Sequence, residues 1–238
     1  LMAIFGILWY SKKIVTKKTP FDKNDVDDFL FYGVLGAIIG GRLGYMFFYG
    51  IEQIFADPLS VLRIWEGGLS FHGGFIGVLI SFFIFSKKLK IGFFDLADHI
   101  ALAFPIGLGF VRIGNFLGGE LLGRPTDLPW GMIFWSDPLQ ISRHPSQLYQ
   151  AFFEGIVLFI ILNLLVIKPK PKIFISGMFL ALYGSFRIFT ETFRMPDSHI
   201  GFDFLDIITR GQLLSTPMVI IGLLLIFLSY RKKNETIS

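Results

Sequence analysis

Long apolar runs alternate with short polar connections along the whole chain. Six of them lie at roughly Phe29–Tyr49, Leu69–Phe85, Phe94–Leu117, Leu148–Ile167, Phe174–Thr190 and Leu213–Tyr230. Each is near the length of about twenty residues with which a helix crosses hydrocarbon. A further run opens at Leu1 and meets Lys12 after only about ten residues, half of what a span needs. With no Met at position 1, this run is expected to be a first span whose start is missing. Helices are the only open-chain structures that satisfy their own backbone in lipid. The pattern therefore predicts an all-α fold: a polytopic transmembrane helix bundle of seven spans, the first truncated, in a single integral membrane domain over residues 1–238.

One connection is unlike the rest. Residues 118–146 carry Pro125, Pro129, Pro138 and Pro145, which rules out a continuous helix. They are expected to form a small periplasmic cap over the ends of the fourth and fifth spans. The amphipathic stretch Ile51–Trp65 suits an interfacial helix. Gly36, Gly40 and Gly44 recur at four-residue spacing, as do Gly73 and Gly77, a pattern that lets helix backbones approach closely.

Charge gives the expected orientation. All thirteen lysines fall in alternate connections: Lys12, Lys13, Lys17, Lys18 and Lys23; Lys87, Lys88 and Lys90; Lys168, Lys170 and Lys172; Lys232 and Lys233. The positive-inside bias assigns these connections to the cytoplasm, with a periplasmic N-terminus and a cytoplasmic C-terminus. Arginine runs the other way. Arg63, Arg124, Arg143, Arg194 and Arg210 lie in the outer segments, and Arg42, Arg112 and Arg187 lie within or at the ends of spans. Guanidinium forks placed against the charge bias point to an anion, with phosphate the best geometric match. The ordinary alternative is that each arginine pairs with a nearby Asp or Glu.

Composition narrows the chemistry. The chain is 53% hydrophobic with a mean hydropathy of +0.63, too apolar for the surface of a soluble domain. The net charge of +4 is not gathered into a basic patch, and no nucleic-acid-binding spacing occurs. Cysteine is absent, so any thiol chemistry uses a partner's thiol. His72, His99, His144 and His199 lack metal-ligand spacing, and neither a metal nor a cofactor is expected. Ionisable groups inside spans are functional candidates by default. They gather towards the outer side in Gly40-Gly41-Arg42, in Ser70-Phe71-His72, in Arg112 through Asn115 to Glu120, and in Tyr183 through Arg187 to Glu191 and Arg194. Several arginines with a histidine in a membrane cavity suit a phospholipid head group.

The motifs His72-Gly73-Gly74-Phe75-Ile76-Gly77, Arg112-Ile113-Gly114-Asn115-Phe116 with Glu120 and Gly123, Arg143-His144-Pro145-Ser146-Gln147-Leu148-Tyr149, and Phe186-Arg187 with Glu191, Arg194 and Pro196-Asp197 occur in this order. Together they resemble the prolipoprotein diacylglyceryl transferase family of bacterial inner membranes, over essentially the whole chain. Two positions depart from the family pattern: Val111 stands where glycine is usual, and Gly118 where a second asparagine is usual. The loss of that asparagine leaves open what holds the loop before Glu120.

The resemblance implies transfer of a diacylglyceryl group from phosphatidylglycerol to the lipobox cysteine in the signal peptide of a preprolipoprotein, within a lipid membrane. Arg112 and Arg187 are then expected to meet the charge on the departing phosphate, and His72 to take the thiol proton. Arg42, Asn115, Glu120, Gly123, His144, Tyr183, Glu191 and Arg194 are expected at the substrate. The rival readings are a small anion or lipid transporter, and a phospholipid head-group phosphatase or phosphotransferase.

Overall fold

In the computed structural model each of those apolar runs is helical. The structure describes residues 2–13, 22–196 and 209–235. The helices are α1 (Met2–Lys13), α2 (Lys23–Tyr49), α3 (Ile51–Ala56), α4 (Phe71–Lys88), α5 (Phe93–Leu117), α6 (Ser146–Gln150), α7 (Leu158–Leu165), α8 (Phe174–Glu191) and α9 (Arg210–Glu235). Two 3-10 turns, Pro58–Leu62 and Ile64–Glu66, follow α3, and a π-helical stretch, Ala151–Val157, joins α6 to α7. Strands β1 (Met132–Ile133) and β2 (Ser142–Arg143) complete the regular structure among the described residues. Leu1, Lys17, Lys18, Asp197 and His199 lie outside the described residues, as does the side chain of His72.

Among the described residues four helical segments are long and apolar enough to cross a membrane: Lys23–Phe48, Phe93–Leu117, Ser146–Leu165 and Gly211–Arg231. Their flanks are apolar and exposed, as at Phe31, Phe47, Phe104, Ile160, Leu223 and Phe227. A helical chain that turns such side chains outward has hydrocarbon as its solvent. Between lipid-solvated helices, apolar burial supplies little drive, so close packing and hydrogen bonds carry the association. The contacts below are of those two kinds.

The chain forms two compact units, one within Thr16–Leu96 and the other within Leu1–Val15 and Ala97–Ser238. In the first, Asp22 caps α2 by accepting from the backbone N–H groups of Asn24 and Asp25, while its own N–H donates to Asp25. Helices α2 and α4 then meet through the two glycine series. A Cβ on Gly40 would lie 2.8 Å from the Gly77 Cα, and one on Gly44 would lie 2.7 Å from the Gly73 Cα. Ser70 begins α4 by accepting from the Gly73 N–H at 3.3 Å, and its own N–H donates to the Gly41 carbonyl at 2.8 Å.

The core of the second unit gathers Tyr10 of α1, Ala101, Leu102 and Ala103 of α5, Leu158 and Leu162 of α7, and Phe174 and Ile175 of α8. The Tyr10 hydroxyl donates to Asn163, which ties α1 to α7. Ile173, with φ of 74°, begins α8 without a side-chain cap of its own. Asp98 of α5 supplies that cap instead. Its carboxylate accepts from the Ile173 N–H at 2.8 Å and from the Ser176 N–H at 2.7 Å, and also from the Ser176 hydroxyl.

The proline-rich segment is not helical, as its composition requires, and extended pairing organises it. Strand β1 pairs antiparallel with β2, Met132 opposite Arg143 and Ile133 opposite Ser142. Residues 122–125 run between two neighbours. On one side the Arg124 N–H donates to Phe193 at 2.9 Å and the Met195 N–H to Leu122 at 3.0 Å, and on the other the His144 N–H donates to Arg124 at 3.0 Å.

Candidate active site

The site of the second unit is built where α5 touches the π-helical stretch. A Cβ on Gly155 would lie only 2.8 Å from the Gly109 Cα, so the two backbones approach as closely as helices can. One turn after Gly109 on α5 comes Arg112, and next to Gly155 is Glu154. The guanidinium of Arg112 donates to Glu154 Oε2 from both Nε and Nη2, each at 3.3 Å. Glu154 is wholly buried. Its other oxygen, Oε1, accepts from the Thr190 hydroxyl at 3.1 Å and stands 3.6 Å from Arg187 Nη1.

Helix α8 adds the rest. Arg187 Nη2 pairs with Glu191 Oε2 at 2.8 Å across one turn, and Glu191 Oε1 lies 3.8 Å from Arg194 Nη1. The Tyr183 side chain lies beside Arg112. Arg112, Tyr183, Arg187, Glu191 and Arg194 were all singled out in the sequence, and the structure brings them into one cluster around Glu154. Three guanidiniums and two carboxylates make up its named ion pairs. Among the described residues the Arg187 Nη1 atom has no hydrogen-bond acceptor, so a donor stands ready for an anion.

Glu154 is the residue that sequence reasoning passed over. Its signal was present: a single carboxylate in the apolar run from Leu148 to Ile167. The rule that marks Arg112, an ionisable group inside a span, marks it equally. A π-helical stretch is a frequent feature of functional sites, and this one shifts the helix phase where Glu154 must face both arginines.

The exit from α5 is held tightly. Gly119, with φ of 65°, ends the helix: the Glu120 N–H donates to Asn115 at 2.9 Å and the Gly119 N–H to Phe116 at 3.1 Å. This paired closure needs a left-handed residue, and glycine adopts that conformation without a Cβ clash. It turns Glu120 back onto α5, where Asn115 Nδ2 donates to Glu120 Oε2 at 3.0 Å. The Gln147 side-chain amide donates to the Glu120 carbonyl, and the Ser136 hydroxyl to the Gly119 carbonyl. The loop before Glu120 is therefore held despite the glycine at 118.

Gly123 and His144 belong to the packing of the proline-rich segment. A Cβ on Gly123 would overlap the His144 carbonyl oxygen. The His144 ring lies 3.3 Å from the Tyr149 hydroxyl through Nδ1 and packs edge-on against Phe193. Tyr149 in turn accepts from the Trp130 indole at 2.9 Å. Beside them the buried Arg143 donates to both oxygens of Asp137, at 2.8 and 3.0 Å, and to the Gly123 carbonyl at 3.2 Å. That guanidinium holds the Asp137 carboxyl down at about 2. Arg42, in the other unit, is buried, and its guanidinium donates to the backbone carbonyls of Ser60, Val61, Gly67 and Gly68. Its donors organise the loop after α3 instead of being presented to an anion. Among the described residues no group of three or more His, Asp or Glu side chains is placed to hold a metal ion.

Comparison with known proteins places this arrangement. Residues 1–228 match the family model described as prolipoprotein diacylglyceryl transferase. Over 235 residues the chain is 47% identical to the phosphatidylglycerol–prolipoprotein diacylglyceryl transferase of Pseudomonas syringae, covering 98% of this chain and 87% of that protein. It is 51% identical over 235 residues to the protein of that name from Teredinibacter turnerae, covering 97% and 82% of the two chains. Against that from Aeromonas hydrophila it is 50% identical over 236 residues, covering 98% and 85%. With its co-linear motifs, its apolar helices and its buried arginine cluster, the chain belongs to the prolipoprotein diacylglyceryl transferase family.

Proposed function

We propose that this chain is a membrane transferase that moves the diacylglyceryl group of phosphatidylglycerol onto a prolipoprotein. The acceptor is the lipobox cysteine thiol in the signal peptide. Its sulfur attacks the glycerol carbon that carries the phosphate, a carbon–oxygen bond breaks, and a thioether forms. Glycerol phosphate departs, and the thiol proton passes to a base. On the family resemblance that base is His72.

The observation that carries this reading is the buried Arg112–Glu154–Arg187 cluster, in which one carboxylate holds two guanidiniums. The departing phosphate goes from one negative charge towards two. Fixed cations aimed at such growing charge lower the barrier, and a single donor of this kind is typically worth about 3 kcal/mol. Arg112 and Arg187 take this role, and Glu154 holds both in place. Tyr183 and Glu191 orient the two guanidiniums, and Arg194 extends the cationic face. Asn115 and Glu120 shape the exit of α5 beside the head group. Arg42 is assigned to holding its own loop, and Gly123 and His144 to holding the cap.

The wider frame is a seven-span bundle in the bacterial inner membrane, with residues 118–146 as its periplasmic cap. The lysine distribution supports that orientation. The test is incubation of the purified protein with phosphatidylglycerol and a lipobox peptide, followed by mass spectrometry of the peptide. A diacylglyceryl adduct that disappears in Arg112→Ala and Arg187→Ala is the expected result. An unmodified peptide with the unaltered protein would end the reading.

A further inference from the structure

One face of the helix entering the cluster is polar where a span should be apolar. Ser146, Gln147, Gln150 and Glu154 follow one another along it, and all four are wholly buried. Their spacing of three and four residues stacks them on a single side. Glu154 has its arginines and Ser146 its carbonyl, that of Leu121. The two glutamines do not close their accounts. Among the described residues Gln150 has neither a partner for Nε2 nor one for Oε1, and Gln147 donates to Glu120 but leaves Oε1 without a donor. Asn115, one turn beyond Arg112 on α5, likewise leaves its buried Oδ1 without a donor.

Such groups are uncommon. Buried side-chain polar atoms nearly always find a partner, and one that does not needs an explanation. Leaving a buried donor or acceptor unmade costs about 1–3 kcal/mol each. Here three amides share that condition in one neighbourhood. Asn115 donates to the Glu120 carboxylate and Gln147 to the Glu120 backbone carbonyl, so both amides adjoin that one residue. Gln150 lies one turn from Gln147 on one side and one turn from Glu154 on the other. The unmet atoms are two acceptors, then a donor with an acceptor, and, beside Glu154, the unbonded Nη1 of Arg187.

From this we infer that Gln147 and Gln150 form a head-group selectivity site, which takes the hydroxyls of a glycerol head group while the arginines take its phosphate. The inference rests on the transferase reading and deepens it. A vicinal diol offers two O–H donors, each oxygen also an acceptor. Two amide carbonyls and a complete amide match that set atom for atom. An ammonium head group brings a positive charge beside Arg187, and an alkyl head group leaves all three amides unsatisfied. Sites built to hydrogen-bond a substrate hydroxyl reject the analogue that lacks it, for that reason.

The experiment compares phosphatidylglycerol with phosphatidylpropanol of the same acyl chains, using the full-length protein in detergent and the lipobox peptide. The unaltered protein is expected to favour phosphatidylglycerol in kcat/KM by about tenfold or more, mainly through KM, since two lost hydrogen bonds have that size. In Gln150→Met, which conserves volume, the ratio between the two lipids collapses towards one. Gln147→Met is expected to reduce it in part, and serves alone if Gln150→Met does not accumulate. Equal use of both lipids by the unaltered protein overturns the assignment. So does a variant that loses both lipids in proportion, because the glutamine would then only be packing. If the unaltered protein converts neither lipid, the transferase reading itself fails, and this one with it.

Discussion

Arg112 and Glu154 meet twice, Nε and Nη2 of the guanidinium both donating to one carboxylate oxygen at 3.3 Å. The other oxygen of Glu154 faces Thr190 and Arg187. One carboxylate thus fixes two cations on two helices. Removing one partner of a buried pair costs about 3–5 kcal/mol, because the remaining charge is left uncompensated. Glu154→Leu is therefore expected to lower the melting temperature in detergent sharply and to abolish transfer. Glu154→Gln keeps an acceptor for Thr190 and much of the shape, so its melting temperature should fall less. A Glu154→Gln variant that melts with the unaltered protein would show that the carboxylate charge is not what holds the arginines.

The distance between Gly109 and Gly155 sets the length of that pair. A Cβ at position 155 must displace α5 backbone, since the atom it meets is the Gly109 Cα at 2.8 Å. Gly155→Val is expected to fold and bind lipid while losing kcat by about a hundredfold, the scale of a 1 Å misplacement at a reacting centre. Arg112 itself would be untouched. Single-turnover transfer measured against lipid binding separates the two steps, and an unchanged kcat would remove the helix approach from the mechanism.

These contacts also mark what was legible in the sequence. The glycine series of α2 and α4, the breaks at proline and the arginines of α5 and α8 all follow from local rules, and the structure places them accordingly. Arg42 did not follow. A guanidinium inside a span looks the same whether it meets a phosphate or carbonyls, and only the folded loop from Ser60 to Gly68 decides. Glu154 was missed because attention went to the cations and not to what pairs them. The extended pairing of residues 122–125 is non-local, between segments twenty and seventy residues apart, and no single stretch announces it.

The proline-rich segment between α5 and α6 carries its own pH dependence. Arg143 holds the Asp137 carboxyl at about 2, below its ordinary value of 3.8. A carboxyl depressed on folding stabilises the folded form above its unfolded pKa, and the gain fades as pH falls towards the folded value. Stability from this pair should thus be complete above about pH 4 and lost on the way down to about 2. Fluorescence of Trp130 and Trp135, both in that segment, reports it. Asp137→Asn should remove this part of the acid dependence and lower the segment's stability at neutral pH. An acid profile identical in the variant would place the dependence elsewhere.

Asp98 separates the transferase reading from a transporter. A carboxylate in an apolar helix invites assignment to a permeation path. In the structure its two oxygens are taken by the first turn of α8, through Ile173 N–H, Ser176 N–H and the Ser176 hydroxyl. It serves as the N-cap that Ile173 cannot provide. Loss of such a cap costs about 0.5–2 kcal/mol. Asp98→Ala should lower the melting temperature by a few degrees while transfer continues well below it, and Asp98→Asn, with one acceptor oxygen left, should lie between. Transfer abolished in Asp98→Asn at unchanged melting would give this carboxylate a part in the chemistry, and the cap alone would no longer explain it.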